Sequence, residues 1–167
     1  MIEEETIWKG KFMKIRGYGQ ANIEDIKRYE MTTGCQFPDD YKQFLLEYNG
    51  GRPEQEENYI IIPEVKSEKI KLRWFAGVTI GGEVCDYKNY LFKLVREFEG
   101  MIDPKIHIPF ARPYGYYSLI LCVSEEMSGI YLYDYSVRLK ESSKKKVLHK
   151  ICDTFTEFLE LIVANEQ

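Results

Sequence analysis

Along this chain apolar residues fall three times at i, i+3, i+4 and i+7: Tyr41, Phe44, Leu45 and Tyr48; Leu91, Leu94, Val95 and Phe98; Phe155, Phe158, Leu159 and Ile162. That spacing lines one face of an α-helix and leaves the other polar. Each stripe carries its own end signals. Before the first, Pro38 suits an opening helical turn, where a missing N–H costs nothing, and Asp39 and Asp40 oppose the positive end of the helix dipole. After it, Asn49, Gly50 and Gly51 accept the positive φ of a C-terminal cap. The second stripe predicts a helix over 87–99, closed by Gly100, and the third opens on Thr154-Phe155-Thr156-Glu157, a capping-box pattern. A further helix is read from Asn22, a good N-cap, through Ile23, Ile26 and Glu30 to Gly34, so that it and 38–48 form a helical hairpin. Upstream, Trp8, Phe12 and Ile15 place a short strand or helix within 6–16, and 18–21 reads as a turn.

The remaining apolar runs have strand character. Tyr59-Ile60-Ile61-Ile62 is short, β-branched and stopped by Pro63, which suits a strand buried on both faces; the polar segment 52–58 before it is a loop. Arg73-Trp74-Phe75-Ala76 predicts another strand, with a loop over 77–82. Ile106-His107-Ile108-Pro109-Phe110 alternates, Leu119 to Val123 is continuously apolar, and Ile130-Tyr131-Leu132-Tyr133 follows a spacer, 124–129, that suits a hairpin loop. A final edge strand is expected over 147–151. Helices early, strands in the middle and a helix last predict an α+β fold, a mainly antiparallel sheet flanked by helices. With no internal repeat and no low-complexity linker, residues 1–167 are read as one domain.

Composition narrows the class without naming a chemistry. Hydrophobic residues at 44% and charged residues at 30% describe a soluble globular chain. A net charge of −4 argues against direct nucleic-acid binding, which needs a basic footprint. Acids gather at Asp39, Asp40, Glu47, Glu54, Glu56 and Glu57, a run read either as solvated surface or as a docking surface for a basic partner; a lysine-rich run spans 138–150. Cys35, Cys85, Cys122 and Cys152 show no C-x-x-C spacing, so neither a zinc site nor a redox pair is expected, and a reducing compartment fits. The acidic opening Met1-Ile2-Glu3-Glu4-Glu5 lacks an export signal's features, and no run reaches the roughly 18 apolar residues of a membrane span. The expected location is the cytoplasm. His107, in a strand pattern, and His149, in a lysine-rich stretch, pair with no nucleophile at a recognisable spacing. Neither Gly77-Val78-Thr79-Ile80-Gly81-Gly82 nor any other segment is a phosphate loop or a nucleophile elbow. No enzyme, metal or cofactor is expected.

Several segments, in order, resemble the SMI1/KNR4 (SUKH) family. The strongest is Phe37-Pro38-Asp39-Asp40-Tyr41-Lys42-Gln43-Phe44-Leu45-Leu46-Glu47-Tyr48-Asn49-Gly50-Gly51, similar to the family's principal motif nearly letter for letter. Ile108-Pro109-Phe110-Ala111, Leu119-Ile120-Leu121, Gly129-Ile130-Tyr131-Leu132-Tyr133-Asp134 and the closing Thr154-Phe155-Thr156-Glu157-Phe158-Leu159 resemble later family segments. One departure stands out: where the family carries small and acidic residues, this chain has Arg112-Pro113-Tyr114-Gly115-Tyr116-Tyr117-Ser118.

The resemblance implies an α+β domain that binds other proteins. Its bacterial members resemble immunity proteins that neutralise a toxin, in many cases a nuclease; its fungal members resemble regulators of cell-wall synthesis and signalling. The leading expectation is therefore an immunity protein, and the alternative is a regulatory protein-binding scaffold. A nuclease is basic where it holds phosphates, so an acidic partner would be steered to it. On that reading the candidate partner-binding residues are Glu54, Glu56 and Glu57 as acids and Tyr114, Tyr116 and Tyr117 as aromatic anchors, Tyr117 being equally placed for the core.

Overall fold

The computed structural model describes residues 14–55, 58–82 and 84–164. In chain order these form β1 (Ile15–Arg16), α1 (Ile23–Thr33), α2 (Asp39–Tyr48), β2 (Arg52–Pro53), β3 (Asn58–Ile60), β4 (Leu72–Phe75), α3 (Tyr87–Glu97), β5 (His107–Pro113), β6 (Ser118–Cys122), β7 (Gly129–Tyr133), β8 (Leu148–Cys152), α4 (Phe155–Glu160) and β9 (Ile162–Ala164). Strands β4 to β8 make an antiparallel meander in sequence order, while β1 pairs β2 and β3 pairs β9 as small two-stranded sheets. The α+β expectation, with a mainly antiparallel sheet and flanking helices, holds. Trp8 and Phe12, with most of the element expected over 6–16, lie outside the described residues.

Most end signals read from sequence are used, but α3 ends at Glu97 with Phe98 as its cap, short of the expected Gly100. Asn22 caps α1 by accepting the Glu24 N–H at 2.8 Å, and Gly34 ends it at φ 73°. Thr154 caps α4 by accepting the Glu157 N–H at 3.1 Å. Asp86, which the sequence did not single out, caps α3 by accepting the N–H of Lys88 at 3.1 Å.

The meander is buried on both sides. Trp74 and Phe75 are consecutive in β4 and so point to opposite faces. Trp74 meets Tyr90 of α3, with ring centroids 4.9 Å apart, while Phe75 meets Phe44 of α2, also at 4.9 Å. On the α2 side an aromatic cluster closes the core: Phe155 of α4 lies 5.0 Å from Phe44 and 5.2 Å from Tyr41, and Phe158 lies 5.1 Å from Phe110. Tyr41, Phe44 and Leu45, the first stripe seen in the sequence, are fully buried here. All five residues of β6 are buried, as a central strand covered on both faces requires.

Two differences from the sequence reading have simple causes. The run 59–62 was expected to be a strand buried on both faces. Only Asn58–Ile60 forms a strand, paired with β9 and touched on its other flank by a single bridge from Ile60 to Ile70, and Ile61 beyond it is exposed. The last stripe, which placed Ile162 in a helix, breaks at Glu160. Leu161 donates its N–H to Phe158 at 3.0 Å, and Ile162 then leaves the helix to pair with Ile60 in register.

The Asn49-Gly50-Gly51 stop does more than end α2. Asn49 sits at φ 51°; its Oδ1 accepts the Val78 N–H at 2.7 Å and its Nδ2 donates to the Val78 carbonyl at 2.8 Å. Gly51 and Phe75 exchange both backbone hydrogen bonds, at 3.2 and 2.7 Å, which covers the free edge of β4. A β-carbon on Gly50 would stand 2.6 Å from the Ala76 carbonyl group, so only glycine passes. Gly50→Ala should therefore cost roughly 2–4 kcal/mol, combining a positive φ with an overpacked backbone contact. Gly82→Ala, where a β-carbon meets nothing within 4 Å, should leave the urea-unfolding midpoint nearly unchanged. Equal midpoints for the two variants would contradict this account of the motif.

Candidate functional site

The six residues expected at a partner surface separate into three groups. Glu56 and Glu57 lie outside the described residues. Glu54 is exposed, its N–H held by the Lys14 carbonyl at 2.9 Å. Its neighbours Pro53 and Gln55 share the wall of a cleft of about 90 Å³ with Tyr114, so the acidic segment and the tyrosine loop do meet. Tyr114 and Tyr116 are 56% and 54% exposed. Tyr117 takes the core alternative: its ring is buried, and its hydroxyl donates to Glu68 Oε2 at 3.0 Å. Burial, then that carboxylate, push its phenol well above the ordinary tyrosine range.

Local backbone features present the two exposed rings. Residues 114–117 form the short connection between β5 and β6, at the same end of the meander as the start of β4 and the end of β7. Tyr114 donates its N–H to the Lys71 carbonyl at 2.9 Å, which fixes the base of the loop. Gly115 turns it at φ 94°; a β-carbon there would meet the Tyr117 ring at 2.9 Å. The pairing of β4 with β5 shifts register between Leu72 and Trp74, so Arg73 is the extra residue of a bulge. A bulge re-aims its side chain, and the Arg73 guanidinium carbon lies 5.6 Å from the centre of the Tyr114 ring.

A second positioning device lies beyond β7. Asp134 is wholly buried, and its carboxylate accepts the N–H groups of Arg138 at 3.0 Å and Leu139 at 2.9 Å. The turn so held forces Val137, a β-branched residue, to φ 52°, an uncommon conformation that surrounding bonds must enforce. Its outcome is Arg138 stacked 4.4 Å over the Tyr116 ring. Between the two tyrosines runs a cleft of about 570 Å³, walled also by Glu68, Lys69 and Arg138. Behind Tyr116 lies another of about 330 Å³, walled by Arg112, Tyr135, Lys93 and Glu97. The tyrosines thus stand among cations. Of the acids expected beside them, only Glu54 lies within the described residues, and it lines none of these clefts. Sequence reading missed Arg73, Arg112 and Asp134 because a bulge, a register and a buried turn gave them their roles; Arg138 was visible only as one charge in a basic run.

A separate cluster has the outline of a catalytic relay. His149, taken from its lysine-rich setting to be unremarkable, is fully buried, with Nδ1 2.7 Å from Glu64 Oε1 and Nε2 2.7 Å from Ser142 Oγ. A nucleophile also needs an approach and backbone donors for the oxyanion. The Ser142 N–H is spent on the Leu139 carbonyl at 3.1 Å and the Ser143 N–H on Lys146 at 3.0 Å. The cluster instead fastens the loop after β3 to the hairpin before β8. Lys146 adds an ion pair to Glu64 at 2.8 Å, and Glu141 reciprocates by accepting the N–H groups of Lys66 and Ser67 at 2.9 and 2.8 Å. Among the described residues no group of three His, Cys, Asp or Glu could hold a metal ion, and no helix is long and apolar enough to cross a membrane.

Two measurements test these assignments. Hydrolysis of p-nitrophenyl acetate by the protein should be no faster than by Ser142→Ala; a clear drop in the variant would restore the catalytic reading. Bonds from Ser67 and Lys66 hold the Glu141 carboxyl down to about 2, and Lys146 followed by His149 lowers that of Glu64. A carboxylate depressed in the folded state stabilises above its unfolded value of about 4.3 and loses that contribution as pH falls towards its folded value. The gap in urea midpoint between wild type and Glu141→Gln should therefore be widest near neutral pH and narrow from about pH 4 downward. A gap that does not change with acidification would remove Glu141 from the latch.

No curated protein shows significant similarity to this sequence. The family model described as "SMI1 / KNR4 family (SUKH-1)" matches residues 20–161, a span that runs from the turn before α1 to the end of α4 and includes both the glycine crossing and the tyrosine loop. The chain belongs to the SMI1/KNR4 (SUKH-1) family.

Proposed function

We propose that this chain is an immunity protein: in the cytoplasm of a bacterial cell it binds a cognate toxin domain, a nuclease on the family's pattern, and disables it by covering it. It works as one SMI1/KNR4-like domain and transforms no substrate. Family membership supports the immunity type. The single observation that carries the rest is the pair Tyr114 and Tyr116, more than half exposed on a braced hairpin end. Tyrosine brings a large contact area with few rotatable bonds, so little entropy is lost when it is covered. An interface of about 1,600 Å² needs only a few such anchors. Glu54, whose neighbours Pro53 and Gln55 line a cleft with Tyr114, would with Glu56 and Glu57 add steering towards a basic toxin.

Co-expression with a candidate cognate toxin domain tests the reading. Cells carrying both should grow, and the Tyr114→Ala/Tyr116→Ala variant should lose protection through at least roughly tenfold weaker binding. Equal killing with and without the wild-type chain would overturn the assignment.

A further inference from the structure

We infer that the end of the sheet bearing Tyr114, Tyr116, Arg73, Arg112 and Arg138 receives an acidic, extended segment of the partner protein. Its carboxylates lie on the guanidinium edges, and its apolar side chains lie against the two tyrosine rings. This rests on the toxin-binding reading and specifies the chemistry of the toxin surface that makes first contact here. It adds a basic surface around the tyrosines to the acidic run read from the sequence.

The geometry of stacking supplies the first reason. Arg138 and Arg73 lie over ring faces at 4.4 and 5.6 Å. A stacked guanidinium spends its flat face on the ring and keeps its rim of N–H donors, which matches a carboxylate two bonds at a time. Stacking also fixes the group in advance, so less freedom is lost when the partner arrives.

Grouping supplies the second. Among the described residues Arg73, Arg112 and Arg138 enter no ion pair. Arg16, Arg52 and Arg96 likewise enter none there, so what sets this surface apart is that its arginines lie together around exposed rings. Three arginines grouped on one surface around exposed aromatic rings, none of them in an ion pair, form a complementary template for acids carried by another chain.

Shape and sign exclude the rival macromolecule. Tyr116 is a wall common to the clefts of about 570 and 330 Å³, so they form a track with a ridge rather than a closed pocket. A single-stranded nucleic acid could also stack on tyrosines. Here, however, each cleft contains a carboxylate, Glu68 in one and Glu97 in the other, and the whole chain carries −4. A continuous phosphate backbone would run past both. A polypeptide can place its acids opposite the arginines and something neutral or basic opposite the glutamates.

The test is a nuclear magnetic resonance titration of the full-length, isotope-labelled chain with a synthetic Glu/Leu peptide, its Lys/Leu counterpart and an oligothymidylate. The acidic peptide should give saturable shifts confined to residues 69–73, 112–117 and 135–138, weakened by added salt. Arg73→Gln/Arg138→Gln, both at exposed sites, should keep the rest of the spectrum and bind the peptide at least roughly tenfold more weakly. No saturable binding, shifts elsewhere, an unaffected double variant, or equal binding of either control probe at this surface would overturn the proposal. If a toxin neutralised by the wild type is neutralised equally by the double variant, the proposal fails and the immunity reading stands. If the wild type neutralises no toxin yet takes the acidic peptide here, the immunity reading fails and this one stands.

Discussion

Backbone passes backbone at the end of α2 with no room for a β-carbon, and the arrangement of helix hairpin, sheet edge and loop depends on that crossing. Gly50 and Gly77 each admit the other strand of chain: added β-carbons would stand 2.6 Å from Ala76 and 2.2 Å from the Asn49 carbonyl oxygen. Gly51 and Gly17 repeat the arrangement one step away, against Arg16 at 2.3 Å and Tyr48 at 2.4 Å. The Asn49 amide then joins the two segments through both its polar atoms on Val78. Close approach allows the Gly51–Phe75 backbone pair, and that pair covers an edge that would otherwise invite another strand. The Phe44–Phe75 contact follows from it, because α2 is held at the depth where its stripe meets the sheet. The most family-like words of the sequence are therefore architecture.

With the crossing fixing one end of β4, the other end is free to differ. Its bulge turns Arg73 outward, the β5–β6 connection lifts Tyr114 and Tyr116, and the Asp134-held turn brings Arg138 down upon Tyr116. Several charged groups nearer the core are occupied by contrast, although the buried hydroxyls of Tyr41 and Tyr87 find no partner among the described residues. Asp86 caps α3 and also accepts the Tyr29 hydroxyl at 2.9 Å, while Asp40 accepts both the N–H and the hydroxyl of Thr156. His149 has both nitrogens bonded. Groups that are satisfied internally have little left to offer a partner. A surface where aromatic faces and guanidinium edges remain open has much to offer, which is why function is sought at the tyrosine end.

Much of this fold could be read from the chain because the signals were local. Helical stripes, the Asn22 and Thr154 caps and the Gly34 stop depend on residues within a turn of one another, and they appear where expected. The failures were of tertiary origin. No local signal shows that Ile162 pairs with Ile60 across about a hundred residues of chain rather than continuing a helix. Nor could spacing show that His149, 85 residues from Glu64, is buried against it. The candidate surface was half legible. Tyrosines in a loop were visible as a departure from the family, but the charge around them was set by a register shift and a buried aspartate that bring residues 73, 112 and 138 together. Acidity counted along the sequence near Glu54 therefore gave no sign of the arginines grouped around the rings.

The central claim is that the partner covers the tyrosine–arginine end of the sheet, and hydrogen–deuterium exchange on the complex with a cognate toxin domain tests it most directly. Slowed exchange should concentrate in residues 69–73, 112–117 and 134–139, with the Asn49–Val78 crossing unchanged because it is already closed in the free protein. Protection confined to α1, or to the hairpin before β8, with the tyrosine loop exchanging as freely as before, would contradict the account.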